Sequence, residues 1–272
     1  AGERRRQARQ GEAPMSAVDL HCEDTGGPGE PVLLAHAIGC DRRMWESIVP
    51  LLARRHRVIA ADARGHGASP LPARPWSLAD MADDAVRLLD RLGIARAHWV
   101  GLSMGGMVGQ AFALAHGDRL GHLVIANSTS RYGPDGRANW DNRIRLIEEG
   151  GLAAIRDMVA ARYFSAQFIE AHGDVVARTM ARFMETPAAG YLGCCEAIRE
   201  LDYLDHLARI GAPTLVIAGE LDLGTPVAMS QAIADRVPRA KLAVIAGASH
   251  LSAVEKPAEF ATLVLDFLAA RG

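Results

Sequence analysis

The stretch Gly101-Leu102-Ser103-Met104-Gly105-Gly106 limits this chain more than any other. It stands between a strand-like apolar run (His98 to Val100) and a helical segment beginning at Met104. A serine with glycine two residues away on each side, where strand passes into helix, is a G-x-S-x-G turn in its required context. Such a turn is too sharp for side chains beside the serine, and Gly101 and Gly105 remove those collisions. The turn lifts the Ser103 hydroxyl clear of the sheet. It also aims the Met104 amide at the place where a carbonyl oxygen would gain negative charge. A glycine-rich nucleotide loop is the rival reading, but the G-x-G-x-x-G spacing is not met.

Around this turn, short apolar runs alternate with helical stretches. Val32 to Ala35, Val58 to Ala61, Trp99 to Leu102, Leu123 to Ala126, Thr214 to Ala218 and Leu242 to Ile245 are the runs. Consecutive apolar, often β-branched positions suit strands buried on both faces of a parallel sheet. Helical spacing marks Arg43 to Ala53, Ala82 to Leu92, Met104 to Ala115 and Ala258 to Ala270. The pattern predicts an α/β fold: a mostly parallel central sheet flanked by helices, with residues 16–23 as an antiparallel edge strand. Residues 133–207 carry no strand pattern, only helical periodicity interrupted at Gly150, Gly151, Gly173, Pro187 and Gly190. They read as a helical cap inserted into a core of residues 16–132 and 208–272. Ligands of open α/β sheets bind beyond the carboxyl ends of the strands, where this cap would sit.

Two further loops at carboxyl ends of strands carry the remaining chemistry. Gly247-Ala248-Ser249-His250 follows the last apolar run. An imidazole titrates near neutrality, so His250 can take the Ser103 proton and return it to a leaving group. The other histidines fall in edge segments, helices, turns or the cap; His66, in Asp62-Ala63-Arg64-Gly65-His66-Gly67, reads as support beside the site. The orienting carboxylate should lie between nucleophile and base in chain order. Gly219-Glu220-Leu221-Asp222 supplies it, Asp222 being preferred and Glu220 its rival. His36-Ala37-Ile38-Gly39, after the first strong parallel strand, can present the Ile38 amide as a second oxyanion donor beside Met104, with His36 bonding neighbouring loops.

Composition narrows the partners. With 30 Lys and Arg against 32 Asp and Glu, a formal charge of −2 gives no electrostatic ground for binding nucleic acid or an anionic membrane. No apolar run reaches the roughly eighteen residues a membrane span needs. Residues 1–15 have arginines without an apolar stretch behind them; they are expected to be a tag or a disordered extension rather than a secretory signal, with Met15 as a candidate start. Cys22, Cys40, Cys194 and Cys195 lack metal-ligand spacing and read as reduced thiols of a cytoplasmic protein. No metal site and no cofactor motif is visible. Whether the chain is a monomer or a homo-oligomer stays open.

These residues resemble the α/β-hydrolase superfamily over roughly 16–130 and 208–271. Within it the chain is most similar to the 3-oxoadipate enol-lactone hydrolases of aromatic-acid catabolism. The likeness is carried by Asp41-Arg42-Arg43-Met44-Trp45, Gly101 to Met107, Asn127 to Thr129, Gly190-Tyr191-Leu192-Gly193-Cys194-Cys195-Glu196-Ala197-Ile198-Arg199, Ala212 to Gly219, and His250-Leu251-Ser252. The chain departs from the family's pattern at Ala35 to Gly39, at Ala61 and at Tyr163, where the family often has tryptophan. The resemblance implies an α/β-hydrolase fold, a Ser103–His250–Asp222 relay, and a small ester or lactone opened through an acyl-enzyme. A substrate carboxylate would need a cationic partner in the cap, for which Arg131, Arg143 and Arg162 are candidates. Trp45, Trp140, Tyr163 and Phe164 are candidate pocket walls. A broad carboxylesterase or cofactor-free perhydrolase is the alternative, and a non-catalytic ligand-binding receptor a third reading.

Overall fold

A computed structural model describes residues 16–270; the expected extension, 1–15, falls outside the described residues. Seven strands form one sheet: β1 (Cys22–Asp24), β2 (Pro31–Ala35), β3 (Arg57–Ala61), β4 (Ala97–Leu102), β5 (Leu120–Ala126), β6 (Thr214–Gly219) and β7 (Lys241–Ile245). Their order is β1-β3-β2-β4-β5-β6-β7, with β1 antiparallel to β3 and every other pairing parallel. Every residue of β4 and β6 is buried, the both-faces burial that their unbroken apolar runs imply.

Helices α1 (Val49–Leu52), α2 (Leu78–Arg91) and α3 (Met104–Ala115) connect the first strands. Between β5 and β6 the chain is helical: α4 (Pro134–Gly150), α5 (Arg156–Tyr163), α6 (Ala166–Ala171), α7 (Gly173–Glu185) and α8 (Ala188–Arg199). Helices α9 (Val227–Ala234), α10 (Ser252–Glu255) and α11 (Pro257–Ala269) complete the chain. α2 starts on a capping box in which Ser77 and Asp80 satisfy each other's backbone N–H. α4 stops where Gly151 takes φ +65°, a left-handed conformation glycine adopts without strain.

Three expectations need correction. The edge strand covers Cys22–Asp24 and not residues 16–23. Upstream backbone groups are taken instead by α2 side chains: the Val18 N–H donates to Asp84 at 2.7 Å, and Arg91 donates to the Leu20 carbonyl at 2.5 Å. The stretch from Arg43 to Ala53 is not one helix but a 3₁₀ turn (Arg42–Trp45) followed by α1. Pro50, lacking an N–H, is tolerated only in the first turn of the restarted helix. Gly190 does not interrupt a helix but lies inside α8. A Cβ there would sit 2.1 Å from the Gly65 carbonyl oxygen, so glycine lets the two backbones touch.

Under the sheet, Arg64 and Asp84 form a buried bidentate pair with both N–O distances at 2.6 Å. Removing one partner leaves the other charge buried without compensation, which costs about 3–5 kcal/mol. Asp84→Ala is therefore expected to lower the urea-unfolding free energy by about 3 kcal/mol or more, and the pair replacement Arg64→Met with Asp84→Leu to recover most of it. A loss well under about 1 kcal/mol in the single variant would contradict the pair's structural role.

Candidate active site

The serine turn is built as its glycines require. Ser103 has φ +56° and ψ −116°, a conformation that costs a non-glycine residue on the order of 1–3 kcal/mol. A Cβ on Gly105 would lie 2.0 Å from the Ala35 carbonyl oxygen, and one on Gly101 2.1 Å from that of Gly105. β2, β4 and the start of α3 therefore approach backbone to backbone at this point. Trp99 ties the turn down from below, its indole N–H donating to the Gly105 carbonyl at 3.0 Å. From β5, the Ala126 carbonyl accepts the Ser103 N–H at 2.8 Å.

Ser103, His250 and Asp222 come together in one hydrogen-bonded chain. His250 Nε2 lies 2.9 Å from Ser103 Oγ, and Nδ1 lies 2.8 Å from Asp222 Oδ2. With the carboxylate facing Nδ1, the proton belongs there, and Nε2 is left to accept from the serine. All three side chains are buried, Ser103 with only 5 % of its surface exposed. Glu220, the rival acid, is exposed and accepts the Gly247 N–H at 2.8 Å, away from the imidazole.

Asp222 accepts more than the histidine. Its Oδ1 takes the Gly224 and Thr225 N–H groups at 2.7 and 2.9 Å; its Oδ2 also takes Asn127 Nδ2 at 3.0 Å and Thr225 Oγ1 at 2.7 Å. Burial pushes this carboxyl up. The His250 charge and hydrogen bond, with Asn127 and Thr225, outweigh that and hold it well below the usual carboxylate range. Asn127, in the left-handed region at φ +46° at the end of β5, also donates to the Ser249 carbonyl at 3.2 Å and accepts from Ser252 Oγ at 2.5 Å. It thus joins Asp222 to the loop of His250. The sequence signalled it by its place at a strand's carboxyl end and within the Asn127 to Thr129 stretch of the family likeness.

The Ile38 loop lies beside the elbow, the Gly105 N–H donating to the His36 carbonyl at 3.1 Å. Among the described residues, backbone hydrogen bonding engages neither the Ile38 nor the Met104 N–H. His36 bonds neighbouring loops as expected: Nδ1 donates to the Ala37 carbonyl (2.7 Å) and Nε2 accepts from the Ala63 N–H (2.9 Å).

The candidate substrate contacts divide. Trp45 is not a pocket wall: it is fully buried and packs on Phe260 of α11, ring centroids 6.0 Å apart. Arg131 is not free for a substrate anion, since Asp202 and Asp205 each bind it at 2.5 Å on the surface. Trp140 is buried under the Arg143 guanidinium, 4.7 Å from its ring centre. Arg143 is buried too, and its one hydrogen bond among the described residues goes to the Tyr191 hydroxyl at 3.1 Å. Arg162 donates to the Gly224 carbonyl at 2.8 Å, in the Asp222 loop; burial and the nearby Arg143 lower its pKa. Neither Arg143 nor Arg162 forms an ion pair with a described carboxylate. Tyr163 lies nearly parallel to the His250 ring at 6.2 Å and donates its hydroxyl to the Ile38 carbonyl. Phe164 is buried and stacks on Phe168.

A hydroxyl raised on a glycine-bounded strand-to-helix turn, at the carboxyl edge of a parallel sheet, is the arrangement of an α/β hydrolase. The chain belongs to the alpha/beta hydrolase family, whose sequence profile matches residues 32–263. It is 35% identical to 3-oxoadipate enol-lactonase 2 of Acinetobacter baylyi over 244 residues, 89% of this chain and 90% of that one. It is 33% identical to a provisionally named carbamate hydrolase, RutD, of Caulobacter sp. strain K31, over 92% of this chain and 95% of the other. The crystal structure of the enol-lactonase from Burkholderia xenovorans LB400 superposes with a TM-score of 0.88 at 34% identity, covering 92% of this chain and 96% of that one. The chain is thus a hydrolase. No helix among the described residues is long and apolar enough to cross a membrane.

The depressed Asp222 carboxyl links stability to pH. An unfolded aspartate titrates near about pH 4, so on acidification the unfolded chain takes up this proton before the folded one does. The stabilisation is complete above about pH 5 and is lost as pH falls through the unfolded value toward the lower folded one. The difference in urea midpoint between wild type and Asp222→Asn is expected to narrow between about pH 5 and pH 3. A gap independent of pH would contradict an ionised, multiply bonded Asp222.

Proposed function

We propose that this chain cleaves a small carboxylic ester or lactone through a serine acyl-enzyme, and that its substrate carries a carboxylate, as an enol-lactone of the 3-oxoadipate type does. The observation that carries the chemistry is the unbroken relay from Ser103 Oγ through His250 to Asp222. Ser103 Oγ attacks the carbonyl carbon as its proton passes to His250 Nε2, and Asp222 stabilises the imidazolium. The Ile38 and Met104 N–H groups are the assigned donors to the oxyanion. On collapse of the tetrahedral adduct, His250 gives its proton to the leaving oxygen. Water then attacks the acyl-enzyme with His250 as base. An enol leaves more readily than an alcohol and asks less of the acid.

Buried Arg143 and half-buried Arg162, neither paired with a described carboxylate, support an anionic substrate. A buried, unpaired guanidinium is costly unless something compensates it, and a bound carboxylate would. Arg143 bonds Tyr191, whose ring edge approaches the position of a Gly39 Cβ to 2.8 Å, and Arg162 bonds the loop that carries Asp222. In this reading helices α4 to α8 are the cap that supplies specificity. The match to enol-lactonases favours a lactone, and that to a carbamate hydrolase makes carbamates a necessary arm of the screen.

Purified protein is expected to be labelled stoichiometrically at Ser103 by a fluorophosphonate, and Ser103→Ala neither labelled nor active. An unlabelled, folded wild type would favour the binding-protein alternative. Steady-state rates on the enol-lactone, on short p-nitrophenyl esters and on carbamates then separate the substrate classes. Arg143→Met is expected to raise KM about tenfold or more for a carboxylate-bearing substrate, the worth of a charge-assisted hydrogen bond. On an uncharged ester kcat/KM should stay within about threefold. Equal losses on both substrates would remove Arg143 from the carboxylate site.

A further inference from the structure

The loop that carries the assigned oxyanion donor is held at almost every polar group. The peptide between Ala37 and Ile38 bears the Ile38 N–H; its carbonyl accepts from His36 Nδ1 at 2.7 Å and from the Cys40 N–H at 3.1 Å. The next peptide, between Ile38 and Gly39, is held at both ends. Its N–H donates to His66 Nε2 at 3.0 Å, and its carbonyl accepts from the Tyr163 hydroxyl. Two planar peptide units meet at the Ile38 α-carbon, so fixing both planes fixes φ and ψ of Ile38 and the direction of its N–H. Gly39 closes the loop at φ +72°, where a Cβ would lie 2.7 Å from Phe183 and 2.8 Å from Tyr191.

The two clamps on the second peptide differ in origin. His66 comes from the loop after β3 and is fully buried. Burial, with His36 nearby, pushes its pKa down to about 3, so the ring is neutral. Its Nδ1 faces the Arg64 carbonyl at 3.2 Å, which leaves Nε2 as the acceptor. Tyr163 is the last residue of α5, in the inserted helices. Burial raises its phenol well above the usual range, so it stays protonated and donates. The same residue reaches the base: its carbonyl accepts the Leu251 N–H at 2.9 Å, next to His250, and its ring lies within 16° of parallel to the imidazole.

We propose that Tyr163 is a positioning residue for hydrolysis, tying the oxyanion loop and the His250 loop to the inserted helices, with His66 as its counterpart on the other end of the same peptide. The inserted helices then do more than cover the substrate. Their seat on the core sets the geometry in which the transition state is bound. This rests on the serine-hydrolase reading above. A tyrosine that only filled space would be replaceable by phenylalanine without effect on turnover, since the rings have the same shape.

The test is Tyr163→Phe, which removes one hydroxyl. Deleting an oxyanion donor outright costs roughly 10²–10³ in kcat, and loosening the peptide beside it should cost less, about tenfold or more. KM is expected to stay within about threefold, because the hydroxyl holds a group that bonds the oxyanion and not the bound ester. The inhibition constant of a trifluoromethyl ketone, whose Ser103 adduct places an oxyanion in the same position, should weaken by the same factor as kcat. A kcat within twofold of wild type, or a loss falling wholly on KM, would overturn the proposal. If Tyr163→Phe does not fold, the other clamp decides. His66→Gln can still accept the Gly39 N–H and is expected to turn over at least fivefold faster than His66→Leu; equal rates would overturn the proposal. Fluorophosphonate labelling separates the two levels. A labelled, active wild type with an unaffected Tyr163→Phe brings down this inference alone, and an inert wild type brings down both.

Discussion

The serine turn depends on a close approach between backbones. The start of α3 lies so near β2 that a single methyl group on Gly105 would sit 2.0 Å from the Ala35 carbonyl oxygen. That contact forces the chain to reverse within a few residues after β4, and the reversal holds Ser103 at φ +56°. Strain of this kind persists only where the surroundings over-determine it. Here they do: β5 accepts the Ser103 N–H, Trp99 grips the Gly105 carbonyl, and Ser128 Oγ donates to the Ser103 carbonyl at 2.9 Å. The hydroxyl is therefore held at the sheet's rim by the fold itself; under the proposed mechanism, the entropy of placing it is met by folding.

The order of the strands does the rest. β2, β4, β5, β6 and β7 lie side by side and parallel, so the loops leaving them open at one edge. From that edge come Ile38 after β2, Ser103 after β4, Asn127 after β5, Asp222 after β6 and His250 after β7. Residues as much as 147 positions apart become hydrogen-bond partners without any local sequence feature pairing them. Asn127 and Thr225 then convert three neighbouring loops into one rigid unit, since each bonds the carboxylate as well as its surroundings.

Much of this was legible in the sequence, and the parts that were share a cause. The central strands announce themselves because burial on both faces demands consecutive apolar residues, and the elbow because its glycines answer a local steric demand. Asp222 and His250 follow from chain order and strand ends. What the sequence hid depends on partners far along the chain. Nothing local says that Arg131 will meet carboxylates 71 and 74 residues away, or that Trp45 will turn inward onto Phe260. The edge strand was placed too early because Val18 and Leu20 look like strand residues, while α2 takes their backbone groups. Tyr163 reads as a pocket wall, but its hydroxyl is spent on the Ile38 carbonyl.

Arg64 and Arg143 show how differently two buried cations can be compensated. Both guanidinium groups are withdrawn from water, at 3% and 8% exposure. Arg64 meets Asp84 through two short parallel bonds and needs nothing more. Arg143 has only a phenol oxygen and the face of an indole, which together offset far less of its desolvation than a carboxylate would. Packing alone gives no reason to keep a cation in such a place, because an apolar side chain of similar volume would fill it at lower cost. In the proposed reading, the stability forgone at Arg143 is recovered when a substrate carboxylate binds. On that reading, such a site gains affinity for carboxylate-bearing substrates over neutral ones from the same desolvation that weakens the empty fold.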